Sequence, residues 1–293
     1  MNIDKKYGTP LAYMITALIL TAVSTVLRTV DLLLFFDNTL GYYNTGAPLP
    51  IVANSLLFAG AVFLVAFPFF AFRKRNITHG TPSTASRAVS VIAALPCIAA
   101  IALYVISAVT TKDRLNLSFA FLAALCAAYF IFDMFKLAKE IRIALGATII
   151  LDLTVQLALS YFNQEVQMNA PDKILFGLAC ISAMLFIANE MKLFADNCRP
   201  TVYMFTSACT LLFCATSSVP SIIAYHAGML PEKNGLYTEY YLLLGLAIYA
   251  ASRLVTATLN INTVACGLDT NHPTDDVTNS DGEHDDKENT EQP

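Results

Sequence analysis

Charged residues are scarce in this sequence and tryptophan is absent from it. Only 14% of the 293 residues are charged, and 56% are hydrophobic. A soluble domain carries about a quarter charged residues, so the deficit excludes an ordinary soluble protein and predicts an integral membrane protein. Without tryptophan, tyrosine must supply the aromatic belt at the membrane interface, and Tyr42–Tyr43 and Tyr240–Tyr241 flank predicted spans as that role requires.

The motifs of several enzyme classes are also missing. The sequence contains no HExxH zinc-protease motif, no GxSxG nucleophile elbow, no Walker A loop and no GxGxxG loop. Asp152 lies in "IILDLTV", which is not the GxGD setting of an intramembrane aspartyl protease. We therefore expect no catalytic residue, no bound cofactor and no nucleic-acid partner, and an intramembrane enzyme ranks last among the functional hypotheses.

The cysteines show no pattern of a disulfide framework or a metal site. No CxxC pair or Cys/His cluster occurs, and most of the seven fall inside predicted helices, where they resemble small apolar packing residues. We expect no metal site. The seven are Cys97, Cys126, Cys180, Cys198, Cys209, Cys214 and Cys266.

Long apolar stretches are abundant. A helix needs about 20 predominantly apolar residues to cross the hydrocarbon core, and eight stretches meet that length. We predict an all-α, polytopic membrane helix bundle over residues 1–266. A signal peptide is the alternative interpretation of the first stretch, because Lys5 and Lys6 precede it. The stretches are 10–28, 51–72, 88–109, 117–135, 143–162, 174–191, 202–224 and 237–260.

The distribution of lysine and arginine predicts the orientation. With the N-terminus inside, the inner segments hold eleven of these residues and the outer loops hold five. In membrane proteins the cytosolic loops carry an excess of lysine and arginine. We therefore predict a cell-membrane protein whose N- and C-termini are both cytosolic.

The composition changes at the C-terminus. Residues 267–293 contain nine of the 22 acidic residues and only one base, Lys287. Almost no large apolar side chain is present, so this segment cannot bury enough surface to offset its ordering entropy. We predict a disordered acidic cytosolic tail. The alternative interpretation is that this acidic segment is a docking segment for a basic protein partner.

Two predicted helices resemble each other at an offset of 56 residues. In "FLAALCAAYFIFDMFKLAK" (121–139) and "GLACISAMLFIANEMKLFA" (177–195), seven of nineteen positions are identical. This favours two-helix units repeated in parallel. Asp133 and Glu190 occupy nearly equivalent positions at the inner boundary. We expect these two residues, and Arg253 near the same boundary, to be interfacial anchors, since charge costs little there.

The segment "LRTVDLLLFFDNTLGYYNTGAPLP" (27–50) resembles a group of uncharacterised bacterial multi-pass membrane proteins. The resemblance implies an intact bacterial-type membrane protein. It implies no activity and no residue role.

A polar stripe on the fifth span is the candidate functional site. Asp152 lies at the middle of this span, where a charge costs roughly 2.5–3.5 kcal/mol on insertion scales. Thr148, Asp152, Gln156 and Ser160 recur every four residues and so share one helix face. The stripe either holds neighbouring helices together or lines a polar cavity.

Arg28 on the first span is a further candidate, as the mouth of such a cavity. Helical rise places Arg28 and Asp31 near the outer interface, where they can pair at i,i+3 spacing. The alternative role for both is to anchor the rim of the span. After them, we expect "LLLFF" to form a half-buried helical turn or a shallow re-entrant piece.

The sequence favours two functional hypotheses over an intramembrane enzyme. In the first, the helix bundle binds or transports a small solute or ion. In the second, the chain is a non-catalytic membrane interaction or regulatory protein with an acidic docking tail. Transport is favoured because an aspartate, and not only Ser, Thr, Asn or Gln, lies at the middle of a span.

Overall fold

Eight long helices dominate the structure, a computed structural model. It describes residues 3–37, 42–43, 48–72, 75–77, 84–112, 114–133, 135, 138–162, 171–195, 199–228 and 238–263. The helices are α1 (Ile3–Phe35), α2 (Pro48–Ala71), α3 (Thr84–Thr111), α4 (Arg114–Phe132), α5 (Lys139–Phe162), α6 (Pro171–Phe194), α7 (Pro200–His226) and α8 (Thr238–Asn260). Two short antiparallel pairings join β1 (Phe36–Asp37) to β2 (Tyr42–Tyr43) and β3 (Arg75–Ile77) to β4 (Ile261–Thr263).

All eight helices are long and apolar enough to cross a membrane. Large apolar side chains face outward along them, including Phe58, Phe70 and Phe162, which are 73%, 88% and 74% exposed. Such a surface is stable in lipid, where apolar contact with the surroundings costs nothing. The predicted all-α, multi-pass membrane fold with eight spans is confirmed. The predicted tail, residues 267–293, lies outside the described residues.

Successive helices run in opposite directions. Near the start of α1, the Tyr13 hydroxyl donates to the Leu64 carbonyl near the end of α2, at 2.8 Å. Near the end of α1, Arg28 donates to Asn54 near the start of α2. We call the end of the bundle at which α1 begins the near face, and the end at which α1 stops the far face.

Helices α7 and α8 form the centre of the bundle. In their most apolar stretches, 72% and 67% of the residues are buried, compared with 17% in α2. Small and hydroxyl side chains make this packing possible, because they let helix backbones approach closely and can hydrogen-bond across helices. Thr210 of α7, for example, donates to the Ser182 carbonyl of α6 at 2.8 Å.

The contact between α3 and α8 depends on a glycine. A Cβ atom at Gly245 would lie 2.7 Å from the Ala93 carbonyl oxygen and 3.1 Å from the Cys97 sulfur. Any side chain there would have to push the two helix backbones apart. Helices α3 and α8 are therefore held at a closely fixed spacing at this point.

Helix α1 extends beyond its predicted end. We expected the span to stop near residue 28 and "LLLFF" to form a half-buried helical turn or a shallow re-entrant piece. The helix continues without a break to Phe35, with Leu32 buried and Leu34 exposed, so residues 32–35 agree with the first of these alternatives and not with the second. The expected i,i+3 pair forms within it, with Arg28 3.1 Å from Asp31. Because the two charges neutralise each other, the helix can keep them buried.

Candidate functional site

The middle of the predicted polar stripe is buried, and its ends are half-buried. Asp152 and Gln156 are each 1% exposed, whereas Thr148 and Ser160 lie at intermediate exposure. The Thr148 hydroxyl donates to the Leu145 carbonyl of its own helix at 2.7 Å. The part of the stripe that faces other helices is therefore the Asp152–Gln156 turn of α5.

Asp152 accepts a hydrogen bond at each carboxylate oxygen. Gln156 donates from Nε2 to Oδ1 at 3.1 Å, and the Cys126 thiol of α4 donates to Oδ2 at 3.8 Å. At 1.5 Å per residue, Asp152 lies roughly 20 Å along the helix from Lys139 and roughly 15 Å from Phe162. The carboxylate thus lies deep in the bundle.

A second buried acid, Glu239, lies in the first turn of α8 at the far face and is 6% exposed. Tyr104 of α3 is also buried, at 4% exposed. Asp152, Gln156 and Cys126 are joined by hydrogen bonds, and we call these three residues the interior acid cluster.

Gln156 of the interior acid cluster has a buried oxygen, Oε1, with no hydrogen-bond partner among the described residues. The same is true of Glu239 Oε2 and the Tyr104 hydroxyl. A buried polar atom without a partner costs roughly 1–3 kcal/mol. Native structures contain few such atoms, so each calls for an explanation.

A second polar cluster, near the near face, is well paired. Arg253 of α8 donates to Asp133 at 2.6 Å and to Glu190 at 2.8 Å. Asp133 also accepts from Arg142 of α5 and from Ser90 of α3. We call this set, together with the two tyrosines described next, the near-face network.

Two tyrosines complete the near-face network by donating to Glu190. They are Tyr203 of α7 and Tyr249 of α8. Our expectation that Asp133, Glu190 and Arg253 are interfacial anchors is wrong, because all three side chains are buried and bound to one another. No described contact tests the predicted two-helix repeat, although its two equivalent acids share Arg253.

A third cluster contains the predicted site residue Arg28. Besides Asp31, its guanidinium contacts Asp172 of α6 at 2.6 Å and Asn54 of α2 at 3.4 Å. The structure therefore brings Asp152 and Gln156 together, but it places Arg28 among acids at the far-face end of α1. A role for Arg28 at the mouth of a cavity stays a prediction.

The buried acids thus fall into two groups. Asp31, Asp133 and Glu190 each pair with an arginine. No lysine, arginine or histidine of the described residues forms an ion pair with Asp152 or Glu239.

Glu239 and Tyr104 were not among the predicted site residues. Glu239 lies in "LYTEYYLLLG", where the neighbouring tyrosines suggested only an interfacial belt. An acid in the first turn of a helix is also favourable with the helix dipole, so its position gave no sign of a site. The sequence feature that could have indicated a site is an acid at the start of an apolar span without a neighbouring lysine or arginine.

Comparison with known proteins adds no assignment. No known family model, no curated protein and no solved structure matches this chain. Within the described part of the chain, no group of three or more His, Cys, Asp or Glu side chains could hold a metal ion. Any function has to be argued from the interior acid cluster itself.

Proposed function

We propose that the protein binds a small solute or ion at the interior acid cluster and carries it across the membrane. The observation that supports this proposal is that Asp152 lies deep in the bundle without a cationic partner among the described residues. A role in helix adhesion would be served at lower cost by Ser, Thr, Asn or Gln. Ionisable residues inside a membrane bundle mark substrate and ion pathways.

The electrostatic cost of Asp152 strengthens the proposal. The effective penalty for burying an ion in a protein is several kcal/mol, and a partner charge is needed to offset it. The same chain supplies arginines to its other buried acids, so the fold can provide this compensation. Leaving Asp152 and Glu239 uncompensated is consistent with a charge or polar group that arrives from outside the chain.

Reconstituted protein tests the proposal. The purified full-length chain would be placed in proteoliposomes on a solid-supported membrane and exposed to pulses of small ions, amines, amino acids and sugars. Wild type should give a transient or sustained current with at least one of them, and Asp152→Asn should abolish it. Glu140→Gln is the matched control, because Glu140 is an exposed acid on the same helix. Equal currents in wild type and Asp152→Asn would overturn the proposal.

A second assay covers electroneutral transport. Uptake of the radiolabelled solute that responds best in a thermal-shift screen would be followed in the same vesicles. If no compound shifts the melting temperature or is taken up, the chain is not a transporter of these classes. The interaction hypothesis, with the acidic tail as docking segment, would then be favoured.

A further inference from the structure

The hydrogen bonds around Asp152 can hold its carboxyl group in either protonation state. In the charged state, Gln156 Nε2 donates to Oδ1 at 3.1 Å and the Cys126 thiol donates to Oδ2 at 3.8 Å. In the neutral state, Oδ1 keeps the bond from Gln156, and a proton on Oδ2 donates to the Cys126 sulfur, which is also a weak acceptor. The thiol proton then turns to a carbonyl of its own helix, as the Cys97 thiol does toward the Ala93 carbonyl at 3.9 Å. Both states therefore use the same heavy-atom positions.

The charged state of Asp152 has little support from its surroundings. A thiol is a weak donor, and two neutral donors leave part of the acceptor capacity of a carboxylate unused. The other buried aspartates among the described residues, Asp31 and Asp133, are each bonded to an arginine. Asp152 has no such partner in the described part of the chain, so protonation is the way in which its buried charge can be neutralised.

The titratable groups around Asp152 do not oppose this protonation. Helix α5 packs against α4 and α6. On α5 itself, the nearest base is Arg142, about 15 Å along the helix, where it binds Asp133. The group at hydrogen-bond distance is Cys126 of α4. The groups at longer range are all acids or neutral donors, namely Cys180 of α6, Cys97 and Tyr104 of α3 and Glu239 of α8.

We infer that the ion at the interior acid cluster is a proton, that it binds to Oδ2 of Asp152, and that it is the coupling ion of transport. This inference rests on the proposed function, because it names the ion that the same site takes. On loading, a hydronium ion gives its proton to the carboxylate, an O–H bond forms at Oδ2 and a water molecule leaves. On release, that O–H bond breaks and a water molecule takes the proton. Cys126 and Gln156 are positioning residues for this exchange.

The donor set suits a proton better than a metal ion. A proton needs a single oxygen lone pair, whereas an alkali ion must exchange its water shell for several oxygen ligands. Beside the carboxylate, the cluster offers one further oxygen, Gln156 Oε1, and a thiol, which is a ligand for soft metals. Within the described residues, no group of three or more His, Cys, Asp or Glu side chains could hold a metal ion.

Infrared spectroscopy of the purified full-length protein tests the protonation of Asp152. A protonated carboxyl group has a carbonyl stretching band that a carboxylate lacks. Over a series of pH values, the difference between wild type and Asp152→Asn should contain such a band, which appears on acidification. Glu140→Gln, which alters an exposed acid of the same helix, should leave that band unchanged. If Asp152→Asn does not fold, Asp152→Glu replaces it, and this variant should move the band. Absence of the band at every pH would overturn the inference.

Two variants test the positioning residues. Cys126→Ser places a stronger donor beside Oδ2 and so favours the carboxylate, whereas Gln156→Leu removes the donor to Oδ1 and so favours the neutral acid. The pH midpoint of the Asp152 band should therefore move in opposite directions in the two variants. A purely structural role would change the melting temperature without moving the midpoint, and that result would contradict the positioning roles.

The salt composition separates a proton from an alkali ion. Replacing choline chloride by NaCl or KCl at equal ionic strength should leave the midpoint of the Asp152 band unchanged. A midpoint that falls as the Na⁺ or K⁺ concentration rises would mean that an alkali ion competes for the carboxylate. The assignment of the proton as the ion of this site would then be wrong.

Transport in proteoliposomes distinguishes this inference from the proposed function. Uptake of the solute that responds best should depend on a pH gradient and should be lost when a protonophore collapses that gradient. Uptake or current that depends on Asp152 but not on a pH gradient would overturn the coupling and leave the proposed transport function in place. If the Asp152 band is present but no compound produces a current or uptake, the protonation of Asp152 stands, and transport and its coupling are wrong.

Discussion

Arg253 of α8 lies 2.6 Å from Asp133, which follows the last residue of α4, and 2.8 Å from Glu190 of α6. One guanidinium therefore joins three helices that are far apart in sequence. Its planar, forked donor set suits two carboxylates at once, which an ammonium group cannot match. The near-face network fixes the bundle at one end, and the interior acid cluster lies deeper in the bundle.

Arg253→Met should lower the free energy of unfolding strongly. Breaking a buried ion pair by removing one partner costs about 3–5 kcal/mol, because the remaining charges stay buried without compensation. Arg253→Lys should cost less, since it keeps the charge but loses the fork. The measurement is thermal unfolding in detergent, with Arg114→Met as control because Arg114 is exposed at the start of α4. Equal melting temperatures for Arg253→Met and Arg114→Met would contradict the network.

Gly245→Ala should be destabilising because α8 meets the α3 backbone at this point. The new Cβ atom would lie 2.7 Å from the Ala93 carbonyl oxygen, so the helices must separate. Overpacking of this kind costs about 1–3 kcal/mol. Gly177→Ala is the matched control on α6, because its Cβ atom would meet only Leu157 at 3.6 Å. Gly177→Ala should be neutral or stabilising by up to about 1 kcal/mol. A wild-type melting temperature for Gly245→Ala would mean that α3 and α8 are further apart.

Arg28→Gln should destabilise the fold while leaving the Asp152-dependent transport signal of the folded protein intact. The substitution leaves Asp31, which is fully buried, without its arginine, and loss of such a partner costs about 3–5 kcal/mol. The double variant Arg28→Gln/Asp31→Asn should recover part of this loss, since it removes both charges. Melting temperatures measure the loss of stability, and currents or uptake in proteoliposomes measure transport. A tenfold loss of transport in folded Arg28→Gln protein would instead place Arg28 at the mouth of the site.

The orientation in the membrane follows from the lysine and arginine distribution and stays a prediction. Topology reporters fused after Gly80 and at the C-terminus should give a cytosolic signal, and a reporter after Asn44 should give an external signal. The positive-inside bias of eleven to five supports this assignment. An external signal from the C-terminal fusion would reverse it. The far face, where Glu239 lies, would then open to the cytosol.

The helices could be predicted from the sequence because each one depends only on its own composition. The predicted span 143–162 lies within the observed helix Lys139–Phe162, and the predicted span 202–224 lies within the observed helix Pro200–His226. The exception is α1, whose charged pair appeared to end the span. Because Arg28 and Asp31 neutralise each other and Asp172 adds a further contact, the helix can retain them. Local hydropathy contains no information about such pairing.

The candidate site could be predicted only in part, for the same reason. Asp152 and Gln156 were found because they lie one turn apart on one helix. Glu239 and Tyr104 are buried through the packing of α8 and α3 among the other helices, which single-helix periodicity does not report. Likewise, nothing around Asp133 indicated that its partner would be Arg253, 120 residues further along the chain.

The central position of α7 has a consequence for how the chain assembles during synthesis. Helix α1 packs against α2, α7 and α8, yet about 190 residues separate the end of α1 from the end of α7. At 5–20 residues per second, the ribosome needs roughly 10–40 s to cover that interval. Until α6 supplies Asp172 and α7 is complete, the inward surface of α1, with its buried Arg28 and Asp31, must be shielded by α2 or by the insertion machinery. The order in which helices leave the ribosome therefore differs from the order in which the bundle closes.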